Sequence, residues 1–166
     1  MKTANAIMKK TLPLMVVCAM LASCAKFHYS EIKSDNVGVW NSFEPKVFEF
    51  DWKKPEMCVD LSITVGVDTA VYRDDAMPLI VKLASPDGES RQFQTQVIVR
   101  DRDGVLHGEA DENGHIVCTE IVRPHMFFNT KGVHRIEIKQ GTSKYDLPGV
   151  HTVGISIDKS NLEYKN

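Results

Sequence analysis

From residue 47 onward the apolar positions recur at every second residue. Phe48, Phe50 and Trp52 alternate with Val47, Glu49 and Asp51, and Leu61, Ile63, Val65 and Val67 alternate with Ser62, Thr64, Gly66 and Asp68. The same period runs through Leu79, Val81 and Leu83, and through Phe93, Thr95, Val97 and Val99. It returns at Ile136 and Ile138, and again at Val153, Ile155 and Ile157. Successive side chains of a strand point to opposite faces, so each run predicts a strand with one buried face and one wet face. Residues Ile116 to Arg123 predict a further strand, mixed on both faces and ended by Pro124, which has no backbone donor to offer.

Ser85-Pro86-Asp87-Gly88, Asp101-Arg102-Asp103-Gly104 and Glu112-Asn113-Gly114 separate these runs with the residue types that tight turns need. No amphipathic helical period, internal repeat or low-complexity tract interrupts the pattern. It predicts an all-β chain whose residues 42–166 form one antiparallel β-sandwich or jelly-roll-like domain. Residues 24–41 are polar and weakly periodic, and read as a tether or a first irregular strand.

The N-terminus follows a different grammar. Lys2, Lys9 and Lys10 precede an apolar stretch from Leu12 to Ala22, broken only by Pro13. That stretch is too short to cross a hydrocarbon core, which takes about 20 helical residues. Residues 1–23 therefore read as a secretory signal peptide. The stretch closes on Leu21-Ala22-Ser23-Cys24, which resembles the lipobox of bacterial lipoproteins. Cys24 is then the first mature residue and the lipid attachment site, its thiol carrying diacylglycerol and its freed amine an acyl chain such as palmitate. Several chains anchor firmly, since each buried methylene contributes about 0.8 kcal/mol. Ala25 and Lys26 place no acid after the cysteine. By analogy with sorting in Gram-negative bacteria, that sets the expected address at the outer membrane, facing the periplasm.

Composition narrows the classes. Apolar residues make up 43% and charged residues 25%, which suits a folded domain rather than a disordered chain. Loss of Lys2, Lys9 and Lys10 with the signal takes the formal net charge from -2 to -5. An acidic body lacks the basic stripe that nucleic acid requires.

Candidate chemistry is sparse. Cys58 and Cys118 remain in the mature body and an oxidising compartment permits a bond between them, but their positions in the alternation disfavour it. The six histidines lack the paired spacing of a structural zinc site. His134 and His151 each open a strand. If the two strands form a hairpin, these histidines fall at opposite ends. Asp101 and Asp103, with Asp111 and Glu112 nearby, have some calcium character but break the full loop pattern, and an Asp-Gly turn accounts for them. Trp40, Trp52, Tyr72 and Tyr145 form a conceivable sugar-stacking platform, although Trp52 shares the inward parity of Phe48 and Phe50. No nucleophile elbow, phosphate loop or dinucleotide fingerprint occurs. No catalytic residue, metal or cofactor is expected.

Several stretches are similar to the gliding-motility lipoproteins of the Bacteroidota, the GldH family. They are the lipobox, the aromatic residues from Phe43 to Trp52, and Val99-Arg100-Asp101-Arg102-Asp103-Gly104-Val105-Leu106-His107-Gly108. The closest run is Phe128-Asn129-Thr130-Lys131-Gly132-Val133-His134-Arg135-Ile136-Glu137-Ile138-Lys139-Gln140, followed by Leu147-Pro148-Gly149-Val150-His151-Thr152-Val153-Gly154-Ile155. Leu106 stands where the family often has tryptophan. The resemblance implies a lipid-anchored envelope component needed for gliding and associated with secretion machinery, and it brings no catalytic residues. The expected function is a non-enzymatic one, by contact with envelope proteins through a sheet edge or the loop from Gly141 to Gly149. The alternative is a carbohydrate-binding lipoprotein of a glycan-uptake system.

Overall fold

The computed structural model describes residues 27–161. The strands are β1 (Phe27–Ser34), β2 (Val39–Asn41), β3 (Lys46–Trp52), β4 (Val59–Val67), β5 (Ala76–Ala84) and β6 (Ser90–Ile98). They continue with β7 (Glu109–Ala110), β8 (Ile116–Met126), β9 (Gly132–Gln140), β10 (Asp146–Pro148) and β11 (Val150–Lys159). A five-stranded sheet has the order β1-β11-β4-β8-β7, and a four-stranded sheet the order β3-β9-β5-β6. A short β10-β2 ladder lies apart from both. All pairings are antiparallel. The signal peptide and Cys24 lie outside the described residues.

The core forms between the two large sheets, from the positions that the period-two pattern selects. Phe48, Phe50 and Trp52 of β3 are buried, with Val59, Leu61, Ile63, Val65 and Val67 of β4. Leu79 and Val81 of β5, Val97 of β6 with Val99 just after it, Ile136 and Ile138 of β9, and Val153, Ile155 and Ile157 of β11 are buried as well. Tyr29 of β1 packs on Phe50 of β3 at 4.9 Å between ring centroids, so the two sheets meet along that edge.

Three expectations are resolved or changed. Of the two readings of residues 24–41, the first strand holds over the tether for residues 27–34: β1 adds an edge strand to the larger sheet, with Tyr29 to Ser34 running opposite Ile157 to Thr152. Part of the wet parity of the central strands is buried as well. Ser62 and Ser156 are covered, and the space beside Gly154 is filled by Ile32, 2.9 Å from where a Cβ would stand. Small residues there let long neighbours lie across the outer face.

Pro124 does not end β8. The strand runs on to Met126 through two register shifts against β4. In these bulges a missing N–H costs no ladder bond. His125 takes φ 53° there, and its N–H donates to Asp60 Oδ1 at 2.9 Å.

Candidate functional site

Strand directions define two ends of the sandwich. The start of β1 lies level with the ends of β8 and β11, because Phe27 faces Asp158 and Val59 faces Met126. The opposite, distal end carries the β10-β2 ladder and the loops before β3, β5, β8 and β10.

The distal ladder builds one exposed feature from the sequence upward. Leu147 pairs with Trp40, and both are buried, so alternation turns Asn41 and Asp146 outward. Asn41 Nδ2 donates to Asp146 Oδ1 at 2.8 Å, and Asn41 Oδ1 accepts the Phe43 N–H at 2.9 Å. The Ser42 N–H donates to the Tyr145 carbonyl at 2.7 Å. These bonds stack Phe43 on Tyr145, with ring centroids 5.8 Å apart and 24° between planes. The rings are 75% and 72% exposed. Val37, Val71, Val105 and Leu106, from other loops of the same end, are also exposed.

The Tyr145 loop is held from inside. Buried Gln140 accepts the Thr142 N–H at 2.8 Å and its hydroxyl, and donates to the Lys144 carbonyl at 2.6 Å. Gly149, with φ +83°, closes the loop: a Cβ there would stand 2.7 Å from the Tyr72 backbone nitrogen.

The acidic turns of this end are occupied by their own backbone. Asp101 Oδ1 accepts the N–H groups of Asp103 and Val105, both at 2.9 Å. Asp111 Oδ1 does the same for Asn113 at 2.9 Å and His115 at 2.8 Å. Both are Asx turns closed by a glycine of positive φ. Among the described residues no group of three or more His, Cys, Asp or Glu side chains is placed to hold a metal.

A family model described as GldH lipoprotein matches residues 27–157, from the start of β1 to the last buried position of β11. The chain belongs to the GldH lipoprotein family. No curated protein matches it. The GldH match takes in every strand of both sheets and the whole distal end. Within it, the stretch that most resembles the family serves mainly as structure. Phe128 and His134 pack on Phe50 at 5.1 and 5.8 Å, and Gln140 ties down the distal loop.

The remaining candidates distribute as follows. Cys24 lies outside the described residues. Cys58 and Cys118 are free thiols, and burial pushes that of Cys118 up. Of the proposed sugar platform, Trp40, Trp52 and Tyr72 are buried, and only Tyr145 is exposed. The Tyr72 hydroxyl is committed to the Ala76 carbonyl at 2.8 Å.

His134 and His151 do not meet, as expected of two histidines that open separate strands; β9 and β11 belong to different sheets and form no hairpin. His134 is buried at the proximal end, with Nε2 2.7 Å from the Thr130 carbonyl. His151 is distal and stacks on His115, ring centroids 3.9 Å apart. That stack, and the pairing of Phe43 with Tyr145, are absent from any linear pattern. Each joins residues that are distant in sequence.

Proposed function

We propose that this GldH-family lipoprotein is anchored through Cys24 in the outer membrane, faces the periplasm, and works without catalysis by binding an envelope protein at its distal end. The Phe43–Tyr145 stack carries the reading. Two large rings are held in the open, Tyr145 by a loop tied to buried Gln140 and Phe43 by its N–H bond to Asn41, at the end of the domain opposite to the one the anchor enters. Rigid aromatic anchors with small entropy losses are typical centres of protein interfaces. The acidic loops around them, with Asp35, Asp68, Asp101, Asp103, Asp111 and Glu112, favour a basic partner surface. Association with the secretion and gliding machinery, which the family implies, belongs to the same proposal.

The test is a photo-reactive residue in place of Tyr145 in the full-length protein, cross-linked in living cells. A discrete adduct with an envelope protein, lost on Phe43→Ala, is the expected outcome. Normal protein abundance with no adduct refutes it. Exposed aromatic rings also suit carbohydrate, which keeps glycan binding as the second reading. It ranks lower because each ring spends one face on the other. Saturable binding on a glycan array, abolished by Tyr145→Ala, reverses the order.

A further inference from the structure

A second feature sits at the opposite, proximal end. A cleft of about 600 Å³ opens along the seam where β6 of one sheet approaches β8 of the other. Phe93 and Leu83 line it on one side, and Arg123, Met126 and Phe127 on the other, with Arg91 at the rim. The Arg123 guanidinium lies over the Phe93 ring at 5.7 Å from its centroid. Phe127 is 42% exposed. Among the described residues no carboxylate lines the cleft, although the body as a whole is acidic. Arg91 reaches Glu89 outside it at 3.5 Å, with both side chains largely in water, an arrangement that holds the arginine weakly. The two bulges of β8 occur beside this cleft, between Ile121 and Met126.

Position identifies the occupant. Phe27 begins β1 only three residues after Cys24, a span of at most roughly 10 Å. Three inter-strand steps, from β1 through β11 and β4 to β8, separate that entry point from Met126, about 14 Å. A chain anchored at Cys24 therefore brings the cleft to the headgroup layer. Its two guanidinium groups suit phosphate, and the exposed apolar Phe127 suits the boundary with the acyl chains. The Asx turns at Asp101 and Asp111 stand at the far end, whereas Asp87 and Glu89 of the β5–β6 turn lie near the cleft without lining it.

We propose that the Arg91–Arg123 cleft binds the phosphate headgroup of an anionic membrane lipid and so fixes the orientation of the domain on its membrane. The inference rests on the reading that Cys24 is the anchor. Its test does not use the anchor. Every strand of both sheets begins at or after Phe27, so residues 24–166 carrying Cys24→Ser keep the whole domain. This chain is sedimented with vesicles of phosphatidylcholine alone, or of phosphatidylcholine with phosphatidylglycerol.

Binding to the second type only is expected. It should weaken roughly tenfold or more in R91Q/R123Q, return in R91K/R123K, and fall as salt is raised. Equal binding to both vesicle types, no binding to either, or sedimentation unchanged by R91Q/R123Q overturns the proposal. Recovery that fails in R91K/R123K, with an unaltered thermal melt, also counts against it, because packing on Phe93 then replaces charge as the cause. The mass of the mature protein from cells, raised by the lipid and not raised in Cys24→Ser, reads the anchor separately.

Discussion

Gln140 donates from Nε2 to the Lys144 carbonyl at 2.6 Å, from a side chain that is almost fully buried at the end of β9. Its Oε1 accepts two further bonds from Thr142. Four residues of loop are thereby tied to the sheet, and Tyr145 follows directly. Gln140→Ala leaves the Thr142 N–H and the Lys144 carbonyl without these partners. A loss of about 1–3 kcal/mol is expected in urea unfolding. Quenching of Tyr145 fluorescence should rise at the same time, since the loop is no longer held.

Gly149 and Gly104 have nearly the same backbone angle, φ +83° and +82°, in different surroundings. A methyl group on Gly149 meets the Tyr72 backbone at 2.7 Å, whereas nothing lies within 4 Å of one on Gly104. Gly104→Ala should cost only the strain of the left-handed conformation, about 1 kcal/mol. Gly149→Ala should cost clearly more and lower Tm further, because the β10–β11 turn has to move. Equal shifts in thermal unfolding contradict this.

Phe50 is the hub of the proximal aromatic cluster. It meets Tyr29, Phe128 and His134 with ring centroids 4.9, 5.1 and 5.8 Å away. Phe50→Ala removes the ring that joins the edge strands of the two sheets. A loss of about 3–5 kcal/mol is expected, with Phe50→Leu retaining much of it. Denaturant midpoints at constant slope measure both.

Asp111 titrates with a consequence for acid stability. Partial desolvation opposes its charge. The His115 and Asn113 N–H bonds and the imidazole of His115 together outweigh that and hold its carboxyl below the usual range. A depressed folded-state value means that the stabilisation is complete above the unfolded value, about 3.9, and is lost as pH falls through the folded one. Asp111→Asn should therefore lower Tm at pH 7 and converge on the parent as pH falls through the folded value. A constant difference between the two melting curves across that range refutes the assignment.

Much of the strand content was legible because burial in a sandwich acts on alternate residues. Phe48, Leu61, Val81, Ile136 and Ile155 each announce an inward face without reference to any other strand. The D-x-x-G turns at Asp101 and Asp111 were legible for a related reason, since an Asx turn is made within a few residues. Pro124 misled for the converse reason. A proline removes one donor locally, but whether a strand ends depends on the opposite strand, and β4 accommodates it with bulges.

Local pattern by itself thus determined the all-β class, the positions of the main core strands, and the resemblance to the GldH family. Each follows from interactions or signals only a few residues apart. Tertiary structure alone decided that residues 27–34 form an edge strand, that His151 meets His115, and that Phe43 stacks on Tyr145. It also decided that Arg123 and Phe93, on different sheets, share one cleft. Those are pairings across the chain, and strand order, which no single strand encodes, sets which residues become neighbours.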